Sequence, residues 1–189
     1  MMTSQPEPCV DVAEYLRLER LSDKRHQFID GVIVPVLDEM PAHSLITANI
    51  TALSGPARRA GYIGFLGARV CVDRRRQISY PDLTFVYGKP EYLDDERDAI
   101  TNPRVIVEVL SPYTRDLDRG TKSVRYRALP SVAEYLLIEQ TPVDIEHYVK
   151  LPDGRWTVSR IMDENALIRL ESIGCDLPVS EIYEGYANL

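Results

Sequence analysis

The 189-residue sequence predicts an α/β or α+β domain built around a mixed β-sheet flanked by helices. Three observations carry that expectation. Helix-patterned segments are interspersed with strand-patterned ones early in the chain. Strand patterns stand alone late in the chain, which predicts additional antiparallel strands toward the C-terminus. Between them, Arg104–Leu110 is a near-continuous apolar run interrupted by one carboxylate, the pattern of a central strand buried on both faces.

Taken in order, the first helix is expected over Val12–Leu21, with Asp11 as N-cap and Val12, Tyr15 and Leu16 facing inward. His26–Val36 reads as a hairpin turning at Asp30-Gly31, a pair that favours type I′ geometry. His43–Ala60 places Leu45, Ile46, Ile50 and Leu53 at helical spacing, with Gly55-Pro56 able to shorten or kink the helix. Strands are expected at Tyr62–Asp73 (with a possible break at Gly67), Ile78–Tyr87 and Arg104–Leu110, and a short helix at Asp118–Ala128, stopped by Pro130. Glu134–Glu139, Ile145–Leu151, Trp156–Met162 and Leu167–Ser172 read as strands, with a second hairpin signal at Asp153-Gly154.

The length suits a single domain spanning residues 1–189, with residues 1–10 as a flexible tail. Neither a signal peptide nor a membrane-spanning apolar run is evident, so a cytoplasmic protein is expected. Cys9, Cys71 and Cys175 are too scattered for a zinc site or a disulfide framework and read as incidental thiols. The net charge of −7 argues against a broadly basic nucleic-acid-binding surface, although it does not describe a groove. Local cation clusters exist at Arg74-Arg75-Arg76 and along Arg115, Arg119, Lys122, Arg125 and Arg127; the first reads as a solvated turn.

The residue that carries chemistry is Glu108. An ionised carboxylate in a buried strand needs a partner, and by itself the sequence leaves a bound cation and an Arg or Lys equally open. Asp82 shifts the balance. It follows Pro81, which cannot donate to a strand ladder and suggests an edge or bulge there, and it lies within the expected strand Ile78–Tyr87, consecutive with that of Glu108. Adjacent strands would bring the two carboxylates together, where they repel unless a divalent cation intervenes. Mg²⁺ suits few protein carboxylates, several waters and phosphate oxygens.

Asp30-Gly31, His43, Pro81-Asp82, Val107-Glu108-Val109-Leu110-Ser111-Pro112, Thr114-Arg115, Asp118, Lys122, Tyr126 and Glu134-Tyr135 together resemble the Uma family of putative restriction endonucleases, within the PD-(D/E)xK nuclease superfamily. The resemblance implies a restriction-endonuclease-like fold, with metal held by Asp82, Glu108 and the Val109 backbone carbonyl. It implies Mg²⁺ as cofactor, with Mn²⁺ able to substitute, and Lys122 as a catalytic residue beside the two carboxylates. Gln27, His43 and Tyr126 would support the site, and Arg115, Arg119 and Arg125 would contact the backbone of duplex DNA. A homodimer is the implied assembly. In two places the sequence departs from the pattern. Leu110 stands where the superfamily carries Lys, a role that Lys122 can take over, and Gln27 stands where relatives carry Glu.

Two functions follow: a Mg²⁺-dependent DNA endonuclease, or a weakened or inactive nuclease-fold protein acting in DNA binding or protein interaction. A general acid–base hydrolase has no accompanying motif. Plainer roles compete residue by residue. Lys122 suits a solvated helix face paired with Asp118 at i, i+4; His43 suits a helix cap or rim; Tyr126 suits helix packing with its hydroxyl at the rim. Trp156 and the tyrosines suit core or interface positions.

Overall fold

The computed structural model describes residues 10–37 and 40–188. Cys9 and the expected tail, apart from Val10, lie outside the described residues. The helix α1 spans Val12–Glu19, and the Asp11 carboxylate accepts from the Glu14 backbone N–H at 2.8 Å, the expected cap. Strands β1 (His26–Ile29) and β2 (Val32–Pro35) form the hairpin. Its turn places both Asp30 (φ 50°) and Gly31 (φ 88°) in the left-handed region, as a type I′ turn requires. Pro41 opens α2 (Pro41–Leu53), and Gly55-Pro56 starts a separate short helix, α3 (Gly55–Arg59), instead of bending one long helix.

The two long strand expectations divide. Tyr62–Asp73 breaks at Gly67 into β3 (Tyr62–Leu66) and β4 (Val70–Asp73). Ile78–Tyr87 breaks at Tyr80-Pro81-Asp82 into β5 (Gln77–Ser79) and β6 (Leu83–Tyr87). These breaks send the chain between two sheets. One has four strands, in the order β2-β1-β5-β4. The other has six, in the order β10-β9-β8-β7-β6-β3, with β7 (Val105–Leu110), β8 (Glu134–Glu139), β9 (Ile145–Lys150) and β10 (Trp156–Ile161). The architecture is mixed α+β, and in the six-stranded sheet β7 and β8 run parallel while their outer neighbours run antiparallel.

A parallel pair needs a crossover, and this one carries the helical segment expected at Asp118–Ala128. It begins earlier than expected, as α4 (Arg115–Leu117). A π-turn follows over Asp118–Lys122, where Gly120 leaves helical geometry, and then α5 (Ser123–Ala128). Beyond β11 (Leu167–Leu170) the chain pairs with β12 (Cys175–Pro178), then forms α6 (Val179–Ile182) and a 3₁₀ turn at Tyr186–Asn188. The last strand and helix go beyond the sequence expectation, which stopped at Ser172.

Strand alternation assigns each residue of β7 to a face. Val105, Val107 and Val109 join Leu83, Phe85, Leu136 and Ile138 in a core covered by Ile46 and Ile50 of α2, by β12 and by α6. Ile106 and Leu110 join Val86, Tyr135 and Leu137 under Tyr126 of α5 on the opposite face. Glu108 therefore belongs to the α5 side. A third cluster packs Tyr15 and Leu16 of α1 against Phe28, Cys71 and Ile78 of the four-stranded sheet. Among the described residues, no helix is long and apolar enough to cross a membrane.

Candidate metal-binding active site

The register between β6 and β7 sets the site. Leu83 pairs with Val107, so the next residue out, Asp82, falls opposite Glu108. Parity puts it on the same face: Asp82 is two residues before Thr84 and four before Val86, which lies in the core on Glu108's side. Asp82 sits in the bend that ends the break at Pro81, not within a strand. It is held there from three directions. Its Oδ2 accepts from the Val109 N–H at 2.6 Å and lies 3.1 Å from His43 Nε2 of α2, and its carbonyl accepts from the Gly67 N–H at 3.0 Å.

Glu108 is only 3% exposed. The π-turn and α5 bring two groups to its Oε1: the Tyr126 hydroxyl donates at 2.9 Å, and Lys122 Nζ donates at 3.3 Å. Lys122 also meets Asp118 Oδ1 at 2.7 Å. The i, i+4 pair is thus present, but at 4% exposure Lys122 is a buried ion rather than a solvated one. Tyr126 is fully buried, so its hydroxyl lies on Glu108 and not at the rim. Burial pushes the Glu108 carboxyl well above the usual carboxylate range, against the pull of Lys122 and with the help of the Asp118 and Asp82 charges. Burial works against the Lys122 ammonium, but Glu108 and Asp118 outweigh it and raise its pKa.

Gln27 of β1 approaches from the other sheet. It is 5% exposed, and its Oε1 makes no hydrogen bond among the described residues. A buried carbonyl oxygen without a donor is costly unless water or an ion meets it. Gln27, His43, Asp82, Glu108, Val109, Asp118 and Lys122 all line one cavity of about 390 Å³.

Asp82, Glu108 and Asp118 therefore face Lys122 as the buried ammonium among them, a charge set short of positive charge. Among the described residues, no group of three or more His, Cys, Asp or Glu side chains is arranged to hold a metal ion. Two carboxylates with a free amide oxygen nearby fit a hard cation that keeps most of its water, as Mg²⁺ does. They do not suit one that demands a closed protein cage.

Arg115, Arg119 and Arg125 are placed differently. None lines the cavity. Arg115 and Arg119 each meet Glu139 at 2.8 Å, Arg119 also reaches Glu146 at 2.9 Å, and Arg125 meets Asp30 at 2.5 Å. Arg74, Arg75 and Arg76 are exposed in the turn between β4 and β5, as expected. Trp156 is half-buried and donates through Nε1 to the Arg127 carbonyl at 3.1 Å. Sequence reasoning missed Asp118 as a buried member of the cluster; the signal was its i, i+4 spacing from Lys122, read there as a surface pair. It also missed Arg25 and Tyr80, which line the cavity without belonging to any motif.

The Uma2 family, described as putative restriction endonuclease, matches residues 12–180. The chain belongs to the Uma2 family. Two uncharacterised proteins of Synechocystis are each 31% identical to it: sll1609 over 172 residues, covering 89% of this chain and 96% of the relative, and slr1290 over 191 residues, covering 97% and 96%. Among solved structures, a putative nuclease belonging to DUF820 from Anabaena variabilis superimposes with a TM-score of 0.71. It covers 92% of this chain and 97% of its own at 17% identity, a likeness of fold. The match to the Uma2 family spans the cavity lining, from Arg25 to Gln140, and Tyr126 as well.

Proposed function

We propose that this Uma2 protein is a Mg²⁺-dependent DNA endonuclease whose centre is Asp82, Glu108 and Lys122. The observation that carries the reading is the meeting of two carboxylates from neighbouring chain segments with a buried ammonium in one open cavity. Asp82, Glu108 and the Val109 carbonyl are the groups that would hold the cation, with Mn²⁺ able to replace Mg²⁺. When bound, the cation supplies Lewis-acid polarisation of the phosphodiester and acidification of water.

The chain's own residues do the rest. Val109 N–H and His43 fix the Asp82 carboxylate, which keeps one orientation without rearrangement during turnover. Tyr126 fixes Glu108 in the same way. Lys122 stays protonated and presents its ammonium where negative charge develops on the phosphoryl oxygens. Gln27 offers an unpartnered oxygen that can orient a water. Contact of Arg115, Arg119 and Arg125 with a DNA backbone would exchange their carboxylate partners for phosphates.

Nicking of supercoiled plasmid tests the reading. Wild type converts it to open circles with Mg²⁺ or Mn²⁺ but not with EDTA, and Asp82→Ala and Glu108→Ala each slow this by about a hundredfold or more. No cleavage by wild type, or cleavage indifferent to both substitutions, contradicts it. Gln27, in place of an acid, favours a second reading, in which the scaffold binds DNA or protein without cutting. DNA binding without nicking would identify that case.

A further inference from the structure

A nuclease cavity must hold a polyanion, yet the floor of this one carries three carboxylates. Among the described residues, the Arg and Lys side chains lining it are those of Arg25 and Lys122. Lys122 is committed to Glu108 and Asp118. Arg25 is exposed, and no carboxylate pairs with it among the described residues. In this it differs from Arg115, Arg119 and Arg125, which lie outside the cavity lining and are tied to acids.

Arg25 is also positioned rather than loose. Its carbonyl accepts from the Val36 N–H at 2.9 Å, which fixes its backbone at the open end of the β1–β2 hairpin. Its guanidinium lies 5.6 Å from the centre of the Tyr80 ring, over its face. That ring is itself held: the Tyr80 hydroxyl donates to Glu19 at 2.7 Å and accepts from Arg69 Nε at 2.8 Å. On another side the guanidinium approaches Gly67 so closely that a Cβ there would sit 2.7 Å from Nη1. Gly67, with φ 52°, is the residue whose N–H bonds the Asp82 carbonyl. A planar cation thus lies over a held aromatic ring that it shares with Arg69, beside the glycine that is hydrogen-bonded to Asp82.

We propose that Arg25 is a substrate-positioning residue, binding a backbone phosphate of the nucleic acid and placing the strand over Asp82 and Glu108. This rests on the nuclease reading. The guanidinium fork suits two phosphate oxygens at once, which a lysine cannot match. Gly67 keeps the space it needs, and Tyr80 limits the conformations it must lose on binding.

Fluorescence anisotropy of full-length protein with a labelled 20-base-pair duplex, in Ca²⁺ across a range of salt, tests the assignment. Arg25→Ala is expected to weaken binding about tenfold and to reduce the slope of log affinity against log salt by about 0.9, the value for one phosphate contact. Arg25→Lys falls between it and wild type, and Gly67→Ala, which displaces the guanidinium, weakens binding in the same direction. Because Arg25 is exposed, Arg25→Ala melts at the wild-type temperature. Wild-type affinity in Arg25→Ala, or weaker affinity with an unchanged salt slope, overturns the assignment while leaving the nuclease reading intact. Arg25-dependent binding by a wild type that never nicks plasmid overturns only the nuclease reading. A wild type that does not bind the duplex overturns both.

Discussion

Glu108 concentrates the tension between stability and function in this chain. Its carboxyl titrates above the unfolded value of 4.5, chiefly because burial disfavours its charge. A carboxyl of that kind contributes to stability while protonated, below about pH 4.5. It loses that contribution as the pH rises through its raised folded pKa. Near neutral pH in metal-free buffer, Glu108 is thus a net cost that a bound cation would offset. Glu108→Gln keeps the shape and removes the charge, and Asp118 still pairs with Lys122, so the metal-free variant should melt above wild type near pH 7. The gain should shrink toward zero as the pH falls below the unfolded value. Thermal melts of both proteins in EDTA from pH 4 to pH 8 measure it, and a variant that melts lower than wild type at pH 7 would contradict the account. Lys122 does not enter that window, because its raised pKa keeps it charged throughout.

At the scale of elements, the hairpin shows how a local signal reaches the site. Its type I′ turn needs positive φ at both central residues, and Gly31 at φ 88° takes the conformation that side chains resist. Gly31→Ala should cost about 1 kcal/mol or more in chemical denaturation. It should also loosen β1, which carries Gln27 and follows Arg25. Unfolding at the wild-type denaturant midpoint would show that the turn is not the constraint. Other elements were less legible. Pro81 was visible as a ladder breaker, but the sequence did not show that the chain changes sheets there, because that depends on which strand each half meets. The convergence of Asp82 and Glu108 followed from two adjacent strands and a period of two. The burial of Lys122 did not, because an Asp-Lys pair at i, i+4 looks the same on a wet helix as beneath a π-turn. Nor did the chain beyond Ser172, where a four-residue strand and a four-residue helix are too short to display a period. Arg115, Arg119 and Arg125 all lie on the crossover between β7 and β8. Their acidic partners on β1–β2, β8 and β9 come from segments that no local pattern connects to them.

Across the whole molecule, a net charge of −7 coexists with a cavity proposed to bind a polyanion. The two agree if positive charge arrives with the cation and with a few placed guanidinium groups rather than from a basic surface. The acids outside the cavity serve a separate purpose: Glu139, Asp144 and Glu146 hold Arg115, Arg119 and Arg160 around the ends of β8, β9 and β10. In the proposed centre, Asp82 and Glu108 share one divalent cation. Calorimetric titration of the metal-free protein with Mn²⁺ tests it without depending on catalysis. One site per chain is expected in wild type, and loss of that site in both Asp82→Ala and Glu108→Gln. Binding that survives both substitutions, or no binding by wild type, would contradict it.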